Sequence, residues 1–210
     1  MKILHVITTL DVGGAEMHVL AQVRGQTQRG HAVRVVYLKG KGTLAADLRA
    51  AGAEAVEHVA PAAFVWRARA HLRWADIVHS HLLKADMLTA LCVLPWGRAG
   101  RLVASKHNDE QVLRKRLVGV VHGLLGRVPR RTIVLSEHVA RFVAEHGRIP
   151  RERLTQIYYG LDPVPFQLDG AERAEARRAV RAELGIPADA FVFTCVARFA
   201  PQKAHGDLLA

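Results

Sequence analysis

Seven short runs of apolar, largely β-branched residues, each leading into a stretch of helical character, restrict this chain more than any other feature. The runs are Ile3–Ile7, Ala32–Leu38, Ala55–His58, Asp76–His79, Leu102–Lys106, Thr132–Leu135 and Leu154–Ile157. Between them Ala15–Arg29, Leu44–Ala51, Ala62–Arg73, Lys84–Leu94, Glu110–Arg127 and Glu137–Glu145 suit helices. A run that is apolar throughout, rather than alternating, is a strand covered on both faces. Strands taken in turn with helices then give a parallel sheet between helical layers, joined by right-handed crossovers. The expected class is α/β, a Rossmann-like doubly wound sheet.

A second, incomplete unit is expected after it. Tyr158–Gly170 (YYGLDPVPFQLDG) is rich in breakers and reads as a linker, and Ala171–Leu184 is rich in helix formers with Gly185 and Pro187 as a stop. Phe191–Ala197 (FVFTCVA) reads as a buried strand, followed by a turn at Pro201 and a helix opening near Lys203. The expected divisions are 1–157, a linker and helix over 158–185, and the opening of another Rossmann-like domain over 186–210.

Charge and composition narrow the partners. The net charge is +11, and residues 98–153 hold 13 Lys and Arg against 5 Asp and Glu, so +8 falls in this stretch. Such a field favours anionic partners. Nucleic acid is disfavoured, because the region lacks interleaved aromatics and any zinc-finger or RNA-recognition pattern. No apolar run approaches the ~20 residues of a membrane span, and the amino terminus reads as a strand rather than a signal peptide. Cys92 and Cys195 lie in apolar runs and read as small buried residues, which suits a cytoplasmic location.

Candidate chemistry gathers at the expected carboxyl ends of strands. Gly13 and Gly14 stand where the first strand turns into a helix, an arrangement that lets an anion approach free N–H groups. Alone they read equally as a tight turn, and they match neither the dinucleotide fingerprint nor a P-loop. His79 and His81 form an H-x-H pair with no third ligand at supporting spacing, so no metal is expected; an edge histidine hydrogen-bonding across a cleft is the functional alternative to a structural one. His107, in SKHNDE, projects toward the same crevice, with Asn108 or Asp109 capping the next helix. Ser136 reads as a helix cap. Leu113, Leu117, Val120, Val121, Leu124, Leu125 and Val128 share one helical face, with Arg114, Lys115, Arg116, Arg127, Arg130 and Arg131 at its ends. That face is expected to pack on the sheet; the alternative is a helix lying on an anionic membrane.

Several segments, in order, resemble the retaining, nucleotide-sugar-dependent glycosyltransferases of family 4, which have the two-domain GT-B fold. They are TTLDVGGAE (8–16), DIVHSH (76–81), SKHNDE (105–110), LSEHVARFV (135–143), QIYYGLD (156–162) and VARFAPQKAHGDLL (196–209). QIYYGLD is similar to the family's I-Y-N-G-V-D signature, and the last segment to its G-R-L-x-x-x-K-G donor loop. Three positions depart from the pattern: Tyr159 stands for the usual Asn, Ala204 for a Gly, and Arg131 where an Asp is common.

The resemblance implies that Arg198 and Lys203 hold the donor diphosphate and offset charge on the leaving nucleotide without a metal. It places Gly13 and Gly14 beside that diphosphate and the acceptor, and His107 near the transferred sugar. His81 joins them as a substrate-binding candidate. The function implied is transfer of a sugar, with retention, from a nucleotide diphosphate to a hydroxyl acceptor. The basic stretch 98–153 adds the expectation of a lipid-linked or polysaccharide acceptor at the cytoplasmic membrane face. The nucleotide-sugar is a co-substrate and no cofactor is expected. The family's glutamate pair has no counterpart up to Ala210, so the chain is expected to be inactive unaided. The rival is a non-catalytic phosphate- or nucleotide-binding module of the same fold.

Overall fold

A computed structural model describes residues 1–97, 99–197, 199 and 203–209. The chain divides into two compact units, Met1–Gly160 and Leu161–Ala210. In the first, β1 (Lys2–Thr9), α1 (Gly14–Gln28), β2 (Ala32–Lys39), α2 (Ala45–Ala50) and β3 (Ala55–His58) build one half of the sheet. A 3-10 turn at Pro61–Ala63 leads to α3 (Phe64–Arg67) and α4 (Arg69–Trp74). The other half follows as β4 (Ile77–His81), α5 (Leu83–Val93), β5 (Leu102–Lys106), α6 (Arg116–Leu125), β6 (Arg131–Val134), α7 (Glu137–Glu145) and β7 (Leu154–Gln156). All seven strands are parallel, in the order β3-β2-β1-β4-β5-β6-β7. This is the expected α/β doubly wound sheet. The winding reverses between β1 and β4, and the crevice outside the strand ends at such a switch point is where these sheets bind ligands.

Side-chain alternation along β1 builds the two faces. Leu4 and Val6 join Val36, Leu38, Val78 and Leu102 in a core closed by Phe64, Leu72, Ala85 and Val93. Ile3 and Ile7 join Val33, Val35 and Val56 in a second core closed by Val19, Leu20 and Val23 of α1 and Leu48 of α2. Burial of each such side chain contributes roughly 1.5–3 kcal/mol, which fixes the register of every strand. His5 lies between Ile3 and Ile7 and so faces α1.

Helix α6 differs from expectation. Its leucine stripe does not all pack inward: Leu117 and Leu124 are 76% and 64% exposed, and Val121 is exposed too. The buried face carries Gly119, His122 and Gly123. A Cβ at Gly119 would stand 2.5 Å from the His146 carbonyl, and one at Gly123 2.7 Å from the Arg148 Cβ. Only a glycine face lets the backbones approach this closely. The segment before α6 is loop and a 3-10 turn (Gln111–Arg114), so neither Asn108 nor Asp109 caps a helix. Ser136 does, its Oγ accepting from the Val139 N–H at 3.2 Å.

The second unit holds α8 (Gly170–Glu183) and α9 (His205–Leu209). Asp169 and Glu172 form a reciprocal capping box, and Gly185 at φ 65° ends α8. The expected strand at Phe191–Ala197 is absent: no ladder forms there, and Phe191, Phe193 and Val196 are exposed. A parallel strand exists only by pairing, and among the described residues no strand pairs with it. Cys195 is therefore exposed rather than buried, whereas Cys92 is buried; both are free thiols. No helix among the described residues is long and apolar enough to cross a membrane.

Candidate functional site

The carboxyl edge at the β1–β4 switch point is assembled from three loops. After β1, Gly13 takes extended backbone as the N-cap of α1 and offers no side chain to the first-turn N–H groups. A Cβ on Gly13 would meet the Glu16 carboxylate at 2.5 Å, while Gly14 opens onto free space. Glu16 is buried in the first turn, where the helix dipole favours an anion, and accepts the Thr9 hydroxyl at 2.5 Å. After β4, Leu82 adopts φ 70°, a left-handed value uncommon for a bulky residue. After β5 comes His107.

Histidines fill the sheet face beneath this edge. His5 pairs with His79 across the β1–β4 ladder, and Ile7 with His81. His81 pairs in turn with Ser105 of β5. Register thus places His5, His79, His81 and Ser105 on the face shared with α1, and His107 continues that row. His5 Nε2 meets Gln26 Oε1 at 2.8 Å, and its Nδ1 meets His81 Nε2 at 2.9 Å. His81 Nδ1 meets His107 Nε2 at 3.0 Å, and the Tyr159 hydroxyl closes on His107 Nδ1. His79 Nε2 is paired separately, with Ser105 Oγ at 2.7 Å. His18 of α1 stacks on the Tyr159 ring, centroids 4.0 Å apart, and lies 5.9 Å from the His107 ring.

Burial keeps these rings neutral. It lowers the His5 pKa to about 4 and, with the neighbouring histidines, pushes His79 and His81 well below the usual imidazole value. His107 falls to about 3, from burial first and then His18 and Lys106. Burial raises the Tyr159 phenol to about 12, so it remains an O–H donor at neutral pH.

On the opposite face, Lys106 Nζ donates to Asp86 Oδ2 of α5 at 2.5 Å and to His122 Nε2 of α6 at 2.9 Å. His122 Nδ1 then donates to the Gly147 carbonyl at 2.7 Å. This buried cluster ties β5 to the two helices behind it.

Of the sequence candidates, the first unit brings together Gly13 and Gly14 at the start of α1 and His81 with His107. His81 is fully buried and reaches the edge only through His107. Lys203 is exposed in the second unit, and Arg198 lies outside the described residues. Four residues of the cluster had no part in the sequence-based site: His5, Gln26, His18 and Tyr159. The one available signal was a histidine interrupting the apolar run KILHVI. The third metal-ligand candidate that spacing did not supply is His5: its ligand atom and those of His79 and His81 lie within 4.8 Å of one another. A cation there would have to displace the His5–His81 hydrogen bond.

The Glycosyltransferase Family 4 model matches residues 12–164, a span that carries the glycine turn, all the edge histidines except His5, and Tyr159. The chain belongs to that family. No curated protein sequence matches it. Among solved structures, this family 4 chain is similar to Anabaena HepE in complex with UDP, with TM-score 0.82 and 20% identity over 100% of this chain and 56% of HepE. HepE in complex with UDP-glucose gives TM-score 0.81 over the same shares. A glycosyltransferase from Rickettsia africae gives TM-score 0.57 and 15% identity over 90% of this chain and 50% of its own. These likenesses show a shared fold, and the chain spans 56% of the HepE length.

Proposed function

We propose that this chain is the acceptor-side part of a retaining glycosyltransferase that moves a sugar from a nucleotide diphosphate to a hydroxyl acceptor. The reading is supported by the placing of the Gly13–Gly14 turn after β1 and His107 after β5, the two strands that flank β4 at the switch point of a family 4 chain, with the His18 ring of α1 5.9 Å from that of His107. In this reading the first-turn N–H groups of α1 and the open space at Gly14 receive the diphosphate side of the donor. His107 receives a hydroxyl of the sugar. Arg198 and Lys203 supply positive charge to the leaving diphosphate, an electrostatic contribution that requires no metal. Closure of two domains would align the reactants and exclude water. HepE has been seen with UDP and UDP-glucose, which makes uridine donors the first to test.

The test is sugar transfer by the full-length protein from a panel of nucleotide-sugars. The expected product keeps the donor's anomeric configuration, and Lys203→Ala weakens nucleotide affinity. No transfer from any donor, with nucleotide affinity unchanged in Lys203→Ala, would leave the rival binding module standing.

We also propose an anionic lipid surface as the site of action, supported by α6. Its Leu117, Val121 and Leu124 stripe is exposed between Arg114, Lys115 and Arg116 at one end and Arg127 and Arg130 at the other. Cations close to such a surface each contribute about 1 kcal/mol. Sedimentation with phosphatidylglycerol vesicles, and none with phosphatidylcholine, is expected; Leu117→Ser with Leu124→Ser should abolish it. Equal binding of that double variant would remove α6 from the contact.

A further inference from the structure

The hydrogen bonds from Gln26 to Tyr159 form one unbroken file through three imidazoles. A neutral imidazole has one N–H and one lone pair, so a direction imposed at one end is passed along the whole file. Gln26 Oε1 can only accept, and His5 Nε2 must therefore carry its hydrogen. His5 Nδ1 is then a lone pair, and His81 Nε2 must donate to it. His81 Nδ1 is left to accept from His107 Nε2. His107 is left with a bare Nδ1 at the open end, and the Tyr159 O–H donates to it. A second proton on His5 or His81 would set two N–H groups against each other; on His107 it would face the Tyr159 oxygen, and there burial disfavours it.

We propose that Gln26, His5 and His81 are positioning residues that hold His107 as its Nε2–H tautomer, making His107 Nδ1 a socket for one donating hydroxyl of a bound ligand. Tyr159 fills that socket here, its ring held on His18. The ligand hydroxyl exchanges one O–H donor for another, so the file behind it does not rearrange. A ligand without that hydroxyl leaves the lone pair unpaired, the kind of mismatch by which hydrogen-bonding sites reject analogues. Assigning the hydroxyl to a sugar rests on the glycosyltransferase reading; the tautomer order does not.

Nitrogen-15 NMR of histidine-labelled protein at neutral pH tests the order directly. His5, His81 and His107 should all be Nε2–H. Gln26→Glu, which offers only an acceptor, should preserve this pattern, and Gln26→Lys, which offers only donors, should invert all three rings in a protein whose amide spectrum remains dispersed. Nδ1–H at His107 in the unaltered protein, for which no variant need fold, would overturn the proposal. So would stoichiometric zinc binding seen at His5, His79 and His81, since a cation takes the lone pairs the file uses. In the full-length enzyme Gln26→Lys should lower transfer about tenfold, equivalent to one lost hydrogen bond, with Gln26→Glu restoring it. Correct tautomers without any transfer would remove the enzymatic reading and leave the file in place.

Discussion

Lys106 and His107 are neighbours in sequence, yet they end in polar clusters on opposite faces of the sheet that differ in charge and in reach. Lys106 closes an ion pair with Asp86 and a hydrogen bond with His122, all buried behind two helices. His107 ends a file of neutral rings that runs outward to a half-exposed tyrosine. Removing one partner from a buried ion pair strands a charge, so the first cluster holds the framework together. The second contains no charge to strand and terminates at a solvent-accessible tyrosine. A strand's two-residue period lets adjacent residues join separate clusters on opposite faces.

Acid should damage both clusters and give the largest effect. His5 and His122 have folded pKa values of about 4 and about 3, below the unfolded value of 6.5. Between those values the unfolded chain binds the extra proton, so their contribution is whole above pH 6.5 and is lost as pH falls. Each removes about 1.4 kcal/mol per pH unit, or about 5 kcal/mol for the pair between pH 6.5 and 4.5, with His79 and His81 acting in the same direction. Urea unfolding across that range checks this. A flat profile would mean that the rings are not neutral and that the contrast between the clusters is false.

Asp86→Ala separates the two clusters most sharply. Leaving the Lys106 ammonium buried without its carboxylate should cost about 3–5 kcal/mol in chemical denaturation at neutral pH. Gly123→Val probes the helix that carries His122. Its Cβ would start 2.7 Å from Arg148 Cβ, and overpacking of this kind costs about 1–3 kcal/mol, read as a lowered Tm. Tyr159→Phe should have the smallest effect, about 1 kcal/mol or less, because the hydroxyl it removes sits at the accessible end of the file. If Tyr159→Phe proved as damaging as Asp86→Ala, the division between framework and site would disappear.

Much of this was legible in the residues. Apolar runs such as Ala32–Leu38 favour strands where a neighbouring strand pairs with them, and Ser136 before Glu137 specifies a helix start, because those preferences act between near neighbours. Gly13, Gly14 and His107 could be assigned to one edge of the sheet because the carboxyl ends of parallel strands lie on the same side. The leucine stripe of α6 misled because periodicity identifies a helix but not which face another segment will cover. There, glycines at 119 and 123 admitted the 146–148 backbone more closely than leucines could. Phe191–Ala197 misled because a strand's pairing is not encoded within the strand.

The sequence alone determined the α/β class, the alternation of elements and the family, since each depends on local preference and on order along the chain. Only the tertiary structure decided that His5, 76 residues from His81 and 21 from Gln26, would join them in one hydrogen-bonded file. Strand order and register make that contact. Both are set by burial summed over the whole sheet, which no single residue or spacing records.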